Sequence, residues 1–158
     1  MDTTVLIAIL LLIHVAGAII GFGPTFAFAI MGPMSAKAGP HGGIALLEAM
    51  EAIEKKLTVP VAMVFQPLSG LALIFVAGYN VNFFSHYWLW IGIVLYAIAF
   101  YLAIFGQNKR LARMIEIAKA GPPTPEFGAL AKKLGQTGPI ITVLLVVIIV
   151  LMVTKLGG

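Results

Sequence analysis

Near the middle of the long apolar stretches of this chain, the side chains able to pass a proton or hold a ligand are His14, Gln66, Ser69 and Tyr96. His14 stands about nine residues into the first stretch. At roughly 1.5 Å per helical residue that is about 14 Å deep, near the middle of a hydrocarbon core of roughly 30 Å. Counted from the opposite ends of their own stretches, Gln66, Ser69 and Tyr96 fall at comparable depth. If they converge, an imidazole, an amide, a hydroxyl and a phenol make a polar cluster at the membrane midplane in which each satisfies another. Two kinds of chemistry then stay open. In one, His14 bonds a helix carbonyl or Gln66 and fastens two helices, a contribution of roughly 0.6 to 2 kcal/mol. In the other, its neutral imidazole is an axial ligand to haem, and Gly17, Gly21 and Gly23 let a flat macrocycle approach. Gly17 and Gly21 also make a small-xxx-small pair, whose commoner use is close contact between helices. No second intramembrane histidine completes a haem site, because His86 belongs at one boundary and His41 in a connection, while Met63 lies about two turns deeper than His14.

Other residue types narrow the chemistry. No Asp, Glu, Lys or Arg falls inside the stretches, which argues against a carboxylate proton relay and against a voltage sensor. The chain has no cysteine, so disulfides, thiolate nucleophiles, iron-sulfur clusters and thiolate zinc sites are excluded. Met31, Met34, Met50 and Met63 form no compact set and read as packing rather than as copper ligands. Pro24, Pro60 and Pro67 can kink the first two stretches, and broken helices line transporter sites, although Pro60 falls in the first turn of the second stretch, where proline is tolerated. A small-solute transporter is therefore an alternative with a thin polar complement.

These residues must be positioned by four apolar stretches, running from about Val5 to Met31, Leu57 to Gly78, His86 to Gln107 and Pro139 to Thr154. Hydrophobic residues make up 61% of the chain and charged ones 10%, with a mean hydropathy of +1.06, whereas a soluble domain carries about 25% charged residues. The expected fold class is all-α: a polytopic membrane protein built as one domain over residues 1–158, a four-transmembrane-helix bundle. The start Met1-Asp2-Thr3-Thr4 lacks the basic region of a cleaved signal, so the first stretch is read as a span. All but one of the ten Lys and Arg residues lie in the connections after spans one and three, and only Lys155 lies on the other side. By the positive-inside rule the basic connections face the cytoplasm of a cell inner membrane and both termini face outward. Tyr79, Tyr87, Trp88 and Trp90 then form an aromatic belt at the outer interface. The net charge of +4 is spread along membrane-flanking segments, where the lipid bilayer is the expected partner rather than nucleic acid.

The basic connections carry amphipathic surface helices over about 43–56, 108–120 and 125–134. In the first, Ile44, Leu47, Met50, Ile53 and Leu57 recur at helical spacing, with Glu48, Glu51 and Lys55 opposite. The second continues the helix of span three into the cytoplasm, where Leu111, Met114, Ile115 and Ala118 keep an apolar face until Gly121-Pro122-Pro123 stops it. In the third, Thr124-Pro125-Glu126 reads as a helix start and Lys132, Lys133 and Gly135 as its end. Lys109, Arg110, Arg113, Lys132 and Lys133 are the candidates to grip lipid headgroups, each worth about 1 kcal/mol near an anionic surface.

The segment Ile13-His14-Val15-Ala16-Gly17-Ala18-Ile19-Ile20-Gly21-Phe22-Gly23, with its His-x-x-Gly core, resembles the opening span of a broad group of uncharacterised bacterial four-span membrane proteins. That group shades into copper-resistance D-type and protoporphyrinogen oxidase J-type families. The resemblance implies a role in haem binding for His14; those relatives also have an intramembrane basic residue, and span three of this chain offers none. The expected function is that of a membrane component without a catalytic site, an accessory or scaffold subunit associating with other membrane protein subunits or with itself. A haem-binding redox or porphyrin-handling protein centred on His14 is the alternative.

Overall fold

Inside a bilayer an apolar run must satisfy its own backbone groups, and a helix is the way a single segment does so. In the computed structural model, which describes residues 2–156, the first run is α1 (Thr3–Phe26), capped by Asp2, whose carboxylate accepts the Thr4 N–H at 3.2 Å. Pro24 brings no N–H for the Ile20 carbonyl, and the helix is interrupted at Ala27 before α2 (Phe28–Lys37) carries on. The two make a rod of 35 residues, about 52 Å long at 1.5 Å per residue and therefore well beyond the roughly 30 Å of hydrocarbon.

At Gly39 the chain turns back, with φ at +72°, a conformation that costs a side-chain-bearing residue more than glycine. The returning helix α3 (Gly39–Ile53) lies against α2 so closely that a Cβ on Gly43 would sit 2.6 Å from the Ser35 carbonyl oxygen. From there the chain stays helical to Val76, 38 residues in all, passing through two π-helical wide turns (Glu54–Thr58 and Val61–Phe65) before α4 (Gln66–Val76). A short 3₁₀ turn (Phe83–Ser85) leads into α5 (Tyr87–Tyr101), a third wide turn (Leu102–Asn108) and α6 (Lys109–Ala120). Finally α7 (Pro125–Thr154) starts on Thr124, whose hydroxyl accepts the Phe127 N–H at 3.3 Å. The result is a bundle of four long apolar helices, with no strand among the described residues.

Three sequence expectations change. The segments 43–56 and 125–134 are not separate surface helices but unbroken extensions of spans, like 108–120, which continues span three as expected. Gly135 and Pro139 carry the marks of a helix end and a fresh start, yet α7 runs through both. A proline there forfeits one hydrogen bond, to the Gly135 carbonyl, and spans packed against neighbours tolerate such a gap. Pro60 stands mid-helix rather than in a first turn, and the chain accommodates it between the two wide turns.

Much of the tightest packing lies in these extensions. Leu47 and Met50 of α3 meet Leu111, Met114 and Ile115 of α6, with Phe28, Met31, Phe127 and Leu130 closing over them. Each such side chain stabilises by about 1.5–3 kcal/mol where the alternative is water. The spans face lipid, which is as apolar as leucine, and they bury little against each other.

Candidate functional site

The site begins with two glycines. Gly17 and Gly21 are buried on the face of α1 that also carries His14. A Cβ on Gly17 would run into the Phe65 ring, and one on Gly21 would lie 2.6 Å from Val61 Cβ. Their absence lets the second long helix (Gly39–Val76, here helix two) approach closely enough for the Thr58 hydroxyl to donate to the Gly21 carbonyl at 2.8 Å, in a buried bond.

One turn of α1 before Gly17, His14 is held at both ring nitrogens. Nδ1 lies 2.7 Å from Ser69 Oγ and Nε2 lies 3.0 Å from Gln66 Nε2. An amide nitrogen only donates, so Nε2 of the ring accepts and the ring proton sits on Nδ1, donating to Ser69 Oγ. Ser69 passes its own proton to the Phe65 carbonyl at 2.8 Å. Every donor in this chain of bonds thus has an acceptor, and the imidazole is neutral. Gln66 Oε1 is left over: it is buried without a partner among the described residues. On the far side of the ring, Gly70 leaves only 3.3 Å between a built Cβ and His14 Cε1, so a larger residue would crowd the imidazole.

Tyr96 does not join this group. Its hydroxyl donates to the Ala62 carbonyl at 2.6 Å, and its ring meets Phe22 edge-on at 6.3 Å between centroids. The backbone explains why that carbonyl is available. In the second wide turn the Gln66 N–H bonds back to Val61 rather than to Ala62, and the next residue, Pro67, has no N–H to offer. Tyr96 supplies the missing donor.

Sequence reasoning passed over Glu54. It is 8% exposed, its side chain enters no hydrogen bond or ion pair among the described residues, and burial pushes its carboxyl up to about 7. The signal was present in the spacing: Leu47, Met50, Glu54, Thr58, Ala62 and Gln66 recur at intervals of three and four, and all are buried. Glu54 therefore lies on the interior stripe of helix two, just beyond the apolar span.

At the basic end, two of the candidate headgroup residues are engaged by the protein. Arg113 grips Glu126 at 2.9 and 3.2 Å and Glu116 at 3.1 Å, holding the Glu126 carboxyl below its usual range; Arg110 bonds Thr137 at 2.9 Å. Lys109 stands over the Phe105 ring at 5.4 Å, and Lys132 and Lys133 are exposed. Lys119 reaches Glu48 at 2.6 Å and ties α6 to α3. At the opposite end Lys155 donates to Tyr79 Oη at 2.9 Å and lies over the Trp88 ring, and His86 packs on Tyr79 at 5.1 Å.

The donor set does not fit the haem that the family resemblance implies for His14. Both ring nitrogens are occupied by Ser69 and Gln66. His41 is exposed at the α2–α3 turn, His86 belongs to the aromatic cluster, and Met63, 56% exposed, faces outward.

A family model described as a predicted integral membrane protein (DUF2269) matches residues 8–156. No curated protein and no solved structure matches the chain.

Proposed function

The chain belongs to this family of predicted integral membrane proteins (DUF2269), and from that premise we propose that it is a non-catalytic membrane component, an accessory or scaffold subunit that packs against other membrane subunits or a second copy of itself. It sits in the inner membrane with its basic end in the cytoplasm and both termini outward, in keeping with the distribution of Lys and Arg. The observation that carries this reading is a contrast in packing. The extensions at the basic end are cored and tied by Lys119–Glu48 and Arg113–Glu126, while the most apolar window of each span is only 6–17% buried within the molecule. A chain that holds its shape outside the lipid leaves its spans free to pack against others. Along span two, Pro60, Val61, Val64, Phe65, Leu68 and Ser69 line an open apolar recess of about 640 Å³, which offers side chains of a neighbouring helix the van der Waals contact that drives association in lipid.

Extraction in mild detergent, followed by native electrophoresis and mass measurement, tests the proposal. The chain is expected to comigrate with a larger assembly or to run as a homo-oligomer. A strictly monomeric particle under every mild condition overturns it.

A further inference from the structure

The interior stripe of helix two carries hydrogen-bonding groups at every turn between Glu54 and His14. Glu54 comes first, then the Thr58 hydroxyl, then the Ala62 carbonyl with Tyr96 Oη on it, then Gln66 against the imidazole. Each step is four residues, about 6 Å along the axis, so that the whole runs about 18 Å. Six ångströms is the span of two hydrogen bonds through one intervening water. On the other side of His14 the pattern stops. Val5–Ile13 of α1 and residues 71–77 of helix two hold no side chain that can donate or accept a hydrogen bond.

We propose that this stripe is a one-sided proton path, connecting the midplane imidazole of His14 with solution at the basic end and closed toward the opposite face. The proton enters from solvent, is taken up by the Glu54 carboxylate, moves past Thr58 and Tyr96, and adds to His14 Nε2, the ring nitrogen that carries a lone pair. The ring becomes an imidazolium whose Nδ1–H still donates to Ser69. Its new Nε2–H needs an acceptor, and Gln66 Oε1, buried and unpartnered, becomes that acceptor when the amide turns over. Return of the proton by the same route leaves carboxylate, imidazole and amide as they began. The site is thus equipped for both charge states of His14, which a purely structural fastening of two helices does not require. This function goes beyond the scaffold reading and does not depend on any partner.

No hydrogen bond or ion pair ties another charged side chain to the stripe among the described residues. Among the described residues, α1 carries no Asp, Glu, Lys or Arg, and Tyr96 is the one titratable side chain of α5 that bonds to the stripe. Of the acids on α3, Glu51 is paired with Lys55 and Glu48 with Lys119, while Arg110 of α6 is bonded to Thr137. The carboxyl that burial pushes up to about 7 changes charge near neutrality, as an entry group must.

The test uses the full chain in lipid nanodiscs with ¹⁵N-labelled histidine, His14 being assigned by loss of its signal in His14→Gln. Two readouts are taken: the imidazole nitrogen shifts between about pH 5 and pH 9, and the rate at which Nε2 gains and loses its proton, read from exchange broadening of its nitrogen signal near the midpoint of that conversion. The ring is expected to convert reversibly between neutral and imidazolium. Thr58→Val and Glu54→Leu are expected to slow exchange at least about tenfold, and Thr58→Ser to restore it. Glu54→Gln, which keeps the shape of the side chain, is expected to slow exchange with the neutral-ring shifts unchanged, which separates loss of the path from loss of fold. A ring that never charges, or an exchange rate that Glu54→Gln and Thr58→Val leave alone, overturns the proposal.

Discussion

Replacing Glu54 by Gln should make the protein more stable at alkaline pH, against the usual expectation for a mutation at a buried position. Burial raises this carboxyl from its ordinary value of 4.5 to about 7. Between those values the folded chain keeps a proton that the unfolded chain has released, so stability falls as pH rises through the window and is level above it. A difference of that size corresponds to about 3 kcal/mol, at about 1.4 kcal/mol for each tenfold change in proton affinity. Glutamine has nearly the same volume and never ionises. Near pH 5, where Glu54 is neutral in the fold, the two proteins should lie within about 1 kcal/mol of each other. Near pH 8 the variant should be ahead by about 3 kcal/mol. Unfolding by graded SDS in mixed micelles, followed through the fluorescence of buried Trp88, reads both curves. Their difference removes pH effects that the two proteins share, such as the release of the Glu126–Arg113 contact. Parallel curves from pH 5 to 8 would refute the reasoning, because they would mean that Glu54 ionises in the fold as freely as it does in water.

The remaining predictions concern packing and the basic end. Gly21→Ala should destabilise by about 1–3 kcal/mol in the same unfolding assay and by more than Gly17→Ala, because the new methyl meets Val61 at its Cβ in the first case and a Phe65 ring that can swing toward lipid in the second; equal costs would contradict the close approach at Gly21. Tyr96→Phe should cost about 1–3 kcal/mol by stranding the Ala62 carbonyl, and an additional Pro67→Ala, which supplies an N–H one turn away, should recover part of it; no recovery would count against the orphaned carbonyl as the reason for the bond. Arg113 holds the Glu126 carboxyl below its usual range, so the clasp contributes fully above that range and is lost as pH falls through the lowered value; proteolysis of the Gly121–Thr124 linker should therefore accelerate in acid, and in Arg113→Gln it should be fast at all pH values.

The spans could be read from composition because a run such as Val5–Ile13 leaves the backbone no option in lipid but helix. The stops were less legible. Gly121-Pro122-Pro123 does end a helix, whereas Gly135 and Pro139 do not, and the difference lies in packing: α7 runs beside α5 and α6, which keep it helical through a missing bond. Depth could be counted but facing could not. His14, Gln66, Ser69 and Tyr96 all fall near one level, yet the wide turns rotate helix two so that Gln66 and Ser69 meet the imidazole while Tyr96 turns to Ala62. Glu54 escaped because the faces of α3 were drawn through Ile53 and Leu57; extending the Leu47–Met50 spacing by one more step lands on it.

The prolines of helix two tie these observations together. Pro60 and Pro67 each withdraw a backbone donor, and the chain answers with wide turns on either side of Pro60 instead of a sharp break. A wide turn holds one residue more than an α-turn, so it shifts every later side chain around the axis by a fraction of a turn. That shift keeps Glu54, Thr58, Ala62 and Gln66 on the inner face over a length at which a regular helix would already have begun to drift. It also frees the Ala62 carbonyl and so places Tyr96. An unbroken helix with alanine at both prolines would be the more stable segment in isolation, but it would carry Gln66 and Ser69 away from His14. The local defects are what bring polar groups of three helices to one buried stripe.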